Sequence, residues 1–239
     1  MEEVSKSCLT RFDHYYWPYT TKDYIGDSIF IQKGLFFIYR VLSFTYCIAV
    51  LVIYFETKFS VKRLLDLGSF NQVLTSLYFL MCLVNYGRNS CWKFTHFLFE
   101  LIWCLNINTV VLFWAAIFPT ESWDYPLYLT ILIHAGTPAV LVFEALNNNI
   151  AFLRRHLQLV CLCTLGYLVL NAVYSLSAEP VYNLWNYKDV YTYLYILAMF
   201  GIIFFAFYLG HLLLRFKLKF KREDLIPGSL ISSFGQTDI

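Results

Sequence analysis

The sequence predicts an all-α integral membrane protein, a bundle of six transmembrane helices with both termini in the cytoplasm. The chain of 239 residues is 59% hydrophobic and only 14% charged, whereas soluble domains carry about 25% charged residues. It contains six apolar runs close to the ~20 residues with which a helix crosses a bilayer. Its 19 Tyr and 6 Trp fit belts of aromatic side chains at the headgroup level. This composition excludes a normal water-facing surface, and we expect no nucleic-acid partner.

The six runs are joined by short connectors, so we expect one compact transmembrane domain over residues 34–214. Residues 1–33 form a cytoplasmic N-terminal segment, and residues 215–239 form a basic cytoplasmic tail. No apolar core precedes Ile29, so we expect no cleavable signal peptide and insertion directed by the first run. The predicted spans are Gly34–Tyr54, Ser69–Asn85, His96–Phe118, Pro126–Leu146, Leu157–Leu176 and Thr192–Leu214.

The distribution of Lys and Arg predicts the orientation, because cytoplasmic loops carry an excess of basic residues. The segment after the sixth run, RFKLKFKR, is strongly basic and indicates a cytoplasmic C-terminus. With six spans, 13 of the 18 Lys and Arg then lie on the cytoplasmic side. The opposite side holds only four: Lys58, Lys62, Arg63 and Lys188.

Three charged residues fall inside predicted spans. Arg40 indicates either a span that begins near it, with Ile29–Tyr39 along the interface, or a side chain that snorkels to the headgroups, which we favour. Glu100 and Glu144 lie near inner helix ends, where they can reach water or a loop arginine such as Arg88 or Arg154.

His134 is the most informative residue, because it lies in the middle of an apolar run and an imidazole at that depth needs a partner or a task. At 1.5 Å per residue it is roughly 12 Å below the outer end of its span. Polar residues of three other spans fall in the same outer layer of the membrane: Thr75, Ser76, Asn108, Thr109 and Asn171.

These polar residues support two interpretations. Hydrogen bonds between helices would hold the bundle together, each contributing about 0.6 kcal/mol. Alternatively, His134 is a catalytic base with Ser69 or Thr75 as the nucleophile. Asn108, Thr109 and Asn171 would then bind the substrate and its oxyanion. The catalytic interpretation requires that the helices of Ser69–Thr75 and His134 are neighbours beside an apolar pocket.

The seven cysteines show no Cys-x-x-Cys or Cys/His spacing of a metal site. Five of them lie in apolar runs, where a thiol packs as a small hydrophobic group. The sequence therefore predicts no metal and no cofactor.

The stretch NTVVLFWAAIFPTESWDYPLYLTILIHAGTPAVLVFEAL resembles the androgen-induced-gene and rolling-stone group of multispan membrane proteins. The matching features are Phe113-Trp114, Tyr125-Pro126, His134 and Glu144. FFIYRVLSFTY in the first run, and CTLGYLVLNAVYSL followed by PVYNLWNY, also match. The resemblance covers most of residues 34–210.

This resemblance implies a lipid esterase that cleaves fatty acid esters of hydroxy fatty acids with an intramembrane Thr and His. The His corresponds to His134. The Thr corresponds to Gly68, which has no side-chain oxygen, and Ser69 follows it. Rolling-stone relatives imply the alternative, a non-catalytic protein of cell fusion or membrane organisation.

Membrane lipids are the expected partners, and the basic segment Arg215–Arg222 suits anionic cytoplasmic lipid. The C-terminal Thr237-Asp238-Ile239 matches a ligand of PDZ domains. The expected location is the plasma membrane or the endoplasmic reticulum.

Overall fold

The computed structural model describes residues 28–57, 60–88, 91–119, 126–182, 185 and 187–220. The N-terminal segment before Ser28, most of the basic tail and the C-terminal PDZ-type motif lie outside the described residues. Within those ranges the chain is helical, apart from its connectors and one isolated bridge between Ser28 and Asn148.

Six helices are long and apolar enough to cross a membrane, and each overlaps one predicted span. We number these spans one to six. Spans three and four each contain a π-helical segment, and a short helix, Val61–Leu64, precedes span two. The helices are Lys33–Thr57, Leu67–Arg88, Trp92–Leu112 with Phe113–Ile117, Leu127–Ile131 with Leu132–Gly136 and Thr137–Asn147, His156–Ser177, and Val190–Phe220.

The third span is the centre of the bundle. It packs against spans two, four, five and six, whereas span one packs mainly on span two. Of the six spans, the third also has the largest share of buried residues in its most apolar part. Leu42, Leu162 and Leu197 of other spans are exposed on the outside of the bundle, as expected for side chains that face lipid.

The two π-helical segments, Phe113–Ile117 and Leu132–Gly136, contact each other. Such segments interrupt the regular α-helical ladder and occur frequently at functional sites. Pro138 adds to the interruption, because it lacks the N–H that the carbonyl four residues earlier would accept. That carbonyl belongs to His134, and the indole N–H of Trp114 donates to it at 3.3 Å. The third and fourth spans are therefore joined where the fourth is irregular.

Both expectations for Arg40 are wrong. The first helix begins well before it, at Lys33, and the side chain is only 2% exposed. Its Nη2 lies 2.6 Å from Glu144 Oε1, and the guanidinium covers the ring of Phe36 at 4.2 Å. The hydroxyl of Tyr78 donates to the same carboxylate oxygen at 2.7 Å. A buried charge needs a charged or hydrogen-bonded partner, and Glu144 meets that need more directly than the headgroups.

Glu100 and Glu144 each have a buried partner that the sequence did not suggest. Glu144 of the fourth span pairs with Arg40 of the first span, and Glu100 contacts His156 at the start of the fifth span. Lys217 of the sixth span donates to the carbonyls of Ala145 and Asn148, each at 2.7 Å. These contacts join the helices at one end of the bundle, where the first span begins and the fourth span ends.

Candidate functional site

His134 lies in the π-helical segment of the fourth span and is 1% exposed. Its ring stacks flat on Phe113 of the third span, with centroids 3.4 Å apart and planes 6° from parallel. Among the described residues, neither ring nitrogen has a hydrogen-bond partner. Because buried polar groups are nearly always hydrogen-bonded, an imidazole in this state indicates a place for a ligand.

The backbone of Gly68, in the first turn of the second span, faces the His134 ring. A Cβ placed on Gly68 would lie 2.5 Å from Cε1 and 3.1 Å from Nε2 of His134. Position 68 is thus adjacent to the imidazole, and the residue there is glycine, which has no side chain. Spans two and four are neighbours here, which confirms the prediction that the helices carrying Ser69 and His134 lie side by side.

Asp66 caps the second span and lies beside both His134 and Ser69. Its carboxylate accepts the backbone N–H groups of Gly68 and Ser69, each at 3.3 Å, as an N-cap aspartate does. A Cβ on Gly68 would lie 3.3 Å from Asp66 Oδ2 and 3.1 Å from His134 Nε2, so the carboxylate and the imidazole lie against the same backbone position. A carboxylate near an imidazole can stabilise the protonated ring.

Tyr182, in the segment after the fifth span, completes this end of the site. Its hydroxyl donates to Asp66 Oδ1 and accepts the backbone N–H of Leu67 at 2.8 Å. Burial, and then the charge of Asp66, raises the pKa of Tyr182 well above its usual value. The phenol therefore stays protonated and remains a donor to Asp66.

Ser69 is buried close to this centre, but its hydroxyl donates to Asp66 Oδ2 at 3.1 Å. The phenol of Tyr54 also interacts with Ser69 and Asp66. Ser69 is thus bound to the carboxylate that lies, together with His134, against the backbone of Gly68. The hydroxyl would have to rotate away from Asp66 before it could donate to the imidazole.

Thr75 lies two helical turns deeper and bonds elsewhere. Its hydroxyl donates to the carbonyl of Asn71 at 2.8 Å and accepts from Asn106 Nδ2 at 3.4 Å. A threonine bonded to its own helix and to a neighbouring amide fits the structural interpretation of these polar residues.

The three predicted substrate-binding residues are not brought together. Asn108 donates to the carbonyl of Met199 at 2.8 Å and joins the third span to the sixth. Thr109 bonds to Leu105 in its own helix. Asn171 donates to the carbonyl of Leu65 at 3.3 Å and supports the turn before Asp66. None of the three lines the cavity beside His134.

That cavity has a volume of about 400 Å³ and lies between the third and fourth spans. Val111 and Val142 line it and are themselves exposed on the bundle surface, so the cavity opens sideways. Its lining is almost entirely apolar, which confirms the predicted apolar pocket. The lining residues are Trp103, Asn106, Ile107, Val110, Val111, Trp114, His134, Ala135, Pro138, Ala139, Leu141 and Val142.

Asn106 is the polar residue of this cavity that the sequence analysis missed. Its Nδ2 donates to Asn71 Oδ1 at 3.1 Å and to the Ile102 carbonyl at 2.9 Å. Its buried Oδ1 has no hydrogen-bond partner among the described residues. Asn106 precedes the predicted Asn108 by two positions, and hydropathy alone does not tell which of the two faces the cavity.

A second polar cluster, His96, Glu100 and His156, lies where the third and fifth spans begin. One ligand atom from each side chain lies within 4.8 Å of the others, and all three residues are buried. Sequence reasoning missed this cluster because 56 positions separate Glu100 from His156. The signal within reach was the His-x-x-x-Glu spacing of His96 and Glu100, which puts both on one face of a helix.

No family model, no curated protein and no solved structure matches this chain.

Proposed function

We propose that this chain is an intramembrane lipid ester hydrolase that uses His134 as its base. The observation that carries the proposal is a buried imidazole with neither ring nitrogen hydrogen-bonded among the described residues, on the wall of an apolar cavity of about 400 Å³. A catalytic base must have a nitrogen available to receive a proton. A structural histidine would instead be expected to have a hydrogen-bond partner.

The cavity suits a lipid acyl chain. Val110, Val111 and Val142 provide an apolar surface, and the side opening lets a lipid enter from the bilayer without crossing water. The ester carbonyl would lie beside His134, and the unpartnered Oδ1 of Asn106 would accept a hydrogen bond from a polar group of the same lipid. With both termini cytoplasmic, this site lies in the outer half of a plasma membrane or endoplasmic reticulum bilayer.

Ser69 is the nucleophile in this proposal, since its hydroxyl is bound to Asp66 and it follows Gly68, whose backbone faces both Asp66 and His134. After rotation, its Oγ attacks the ester carbonyl carbon while His134 takes the hydroxyl proton. The alcohol leaves with that proton, and the acyl group remains on Ser69. A water molecule then attacks the acyl carbon while His134 takes one of its protons. His134 passes this proton to the Ser69 oxygen, and the acyl group leaves as a fatty acid. The carboxylate of Asp66 stabilises the imidazolium formed in each step.

The experiment is labelling of the purified full chain with a fluorophosphonate probe, together with hydrolysis of a fluorogenic long-chain acyl ester in micelles. We expect His134→Ala and Ser69→Ala each to lower hydrolysis by about 10²-fold or more and to abolish labelling. Thr109→Ala is the matched control, because this buried hydroxyl bonds to its own helix away from the cavity. Labelling no stronger than that of heat-treated protein would rule the hydrolase out.

A second candidate is a non-catalytic membrane protein that acts through lipid or protein partners. Two observations favour this candidate. The residue facing His134 is Gly68, and the Ser69 hydroxyl donates its hydrogen bond to Asp66. In this case the cavity binds a lipid without cleaving it. A photoactivatable fatty acid should then crosslink to the cavity residues in wild-type protein and in Ser69→Ala equally, with no hydrolysis of any acyl ester.

A further inference from the structure

The buried cluster of His96, Glu100 and His156 has the composition of a metal site. Two imidazoles and a carboxylate are the ligands that many three-residue zinc sites use. His96 and Glu100 are one helical turn apart on the third span, and His156 is the first residue of the fifth helix. His96 is 3% exposed, and Glu100 and His156 are not exposed at all.

The distances fit a small divalent ion after minor side-chain rotation. Zinc bonds of about 2.0–2.1 Å in a tetrahedron place neighbouring ligand atoms about 3.3 Å apart. His96 Nε2 lies 3.6 Å from Glu100 Oε1. His156 Nδ1 contacts the other oxygen, Glu100 Oε2. An ion that enters here would replace the direct contact between His156 and Glu100.

The neighbouring backbone supplies the remaining features of such a site. His96 Nε2 donates a hydrogen bond to the carbonyl oxygen of Ala151 at 2.7 Å; a bound ion would displace that proton, and the carbonyl oxygen would be within reach as the fourth ligand. The backbone N–H of Leu153 donates to Glu100 Oε1 at 2.7 Å, and this bond orients the carboxylate. Hydrogen bonds to the ligands of a metal fix their geometry in this manner.

We propose that His96, Glu100 and His156 bind one Zn²⁺ ion in a closed structural site. The ion joins the third span, the connector at Ala151–Leu153 and the start of the fifth span. Because Glu100 is buried, a divalent cation offsets its charge at a position where water cannot. The site lies where the third and fifth spans begin, whereas His134 lies in the π-helical segment of the fourth span, so zinc binding here does not depend on the proposed hydrolase activity.

The test is the metal content of the full chain, purified in detergent without chelator and measured by inductively coupled plasma mass spectrometry. We expect close to one zinc per chain. His96→Ala, Glu100→Gln and His156→Ala should each weaken Zn²⁺ binding by about tenfold or more, measured by competition with a chromophoric chelator. His134→Ala is the matched control, a buried histidine outside the cluster, and should retain the zinc.

A second measurement covers variants that fail to fold. Removal of the metal from wild-type protein with a chelator should lower the thermal unfolding temperature, and added Zn²⁺ should restore it. Replacement with Co²⁺ should give the visible absorption of a tetrahedral cobalt site. Wild-type protein that holds no zinc and does not bind Zn²⁺ on titration would overturn the proposal. Equal zinc content in the wild type and in His156→Ala would overturn it as well.

Discussion

The imidazole of His134 lies directly against the backbone of Gly68, so close that a Cβ at position 68 would lie 2.5 Å from His134 Cε1. The contact joins the first turn of the second span to the irregular part of the fourth. It allows the ring to stack on Phe113 and at the same time to lie near Asp66, whose carboxylate is close to the same position. The absence of a side chain at residue 68 is thus a condition for the observed position of His134.

We expect Gly68→Ala to destabilise the protein by about 1–3 kcal/mol, because the added methyl group overpacks the contact with His134. The loss of stability caused by Gly68→Ala should be smaller in a protein that already carries His134→Ala. Thermal unfolding in detergent measures the effect in each background. Gly166→Ala is the control, since a Cβ there meets nothing within 4 Å. Equal effects of Gly68→Ala with and without His134 would contradict the contact.

The buried Arg40–Glu144 pair should be sensitive to loss of either partner. Arg40→Met leaves Glu144 buried without its cation, and we expect a loss of about 3–5 kcal/mol in the free energy of unfolding. Arg40→Met combined with Glu144→Met should cost less than the sum of the two single changes. The control is Lys62→Met, which removes the exposed pair with Glu179 and should cost less than about 1 kcal/mol. Chemical unfolding in mixed micelles gives these values, and similar losses for Arg40→Met and Lys62→Met would argue against a buried pair.

Two glycines of the sixth span provide a matched comparison of packing. A Cβ on Gly210 would collide with the ring of Phe152, whereas a Cβ on Gly201 meets nothing within 4 Å. We expect Gly210→Ala to lower the unfolding temperature and Gly201→Ala to leave it unchanged or to raise it slightly. If the two variants unfold at the same temperature, the connector that contains Phe152 does not pack on the sixth span at Gly210.

The hydrogen bond from Tyr182 to Asp66 gives a pH-dependent prediction. Because the pKa of Tyr182 is raised in the folded protein above a value of about 10 in the unfolded chain, its contribution to stability is fully present below about pH 10. It is lost only as the pH rises through the folded pKa. The difference in unfolding free energy between wild type and Tyr182→Phe should therefore be constant from pH 6 to 9 and decline in stronger alkali. A decline between pH 6 and 9 would show that another group titrates there.

Labelling of single cysteines tests the orientation. Cys91 is exposed in the connector between spans two and three, which we place in the cytoplasm. Glu179→Cys lies in the connector after span five, on the opposite side. In intact cells a membrane-impermeant maleimide should label Glu179→Cys, and it should label Cys91 only after permeabilisation. The reverse pattern would show that the bundle has the opposite orientation in the membrane.

The six spans followed from the sequence because hydropathy is a local property. A helix in lipid forms its backbone hydrogen bonds within its own segment, so about 20 consecutive apolar residues are enough to predict it. The prominence of His134 followed for the same reason, since a single polar residue is conspicuous in an apolar run. The closeness of the second and fourth spans was predicted from the polar residues they carry and is confirmed by the structure.

The partners of each polar group depended on tertiary structure. Whether Asn106 or Asn108 faces the cavity depends on the rotation of the third span, which neighbouring helices determine through packing. Arg40 meets Glu144 and Glu100 meets His156 only because segments distant in sequence come together at one end of the bundle. Hydropathy gives the depth of a side chain along its helix, but the direction in which it points, and hence its chemistry, is decided by side-chain packing between helices.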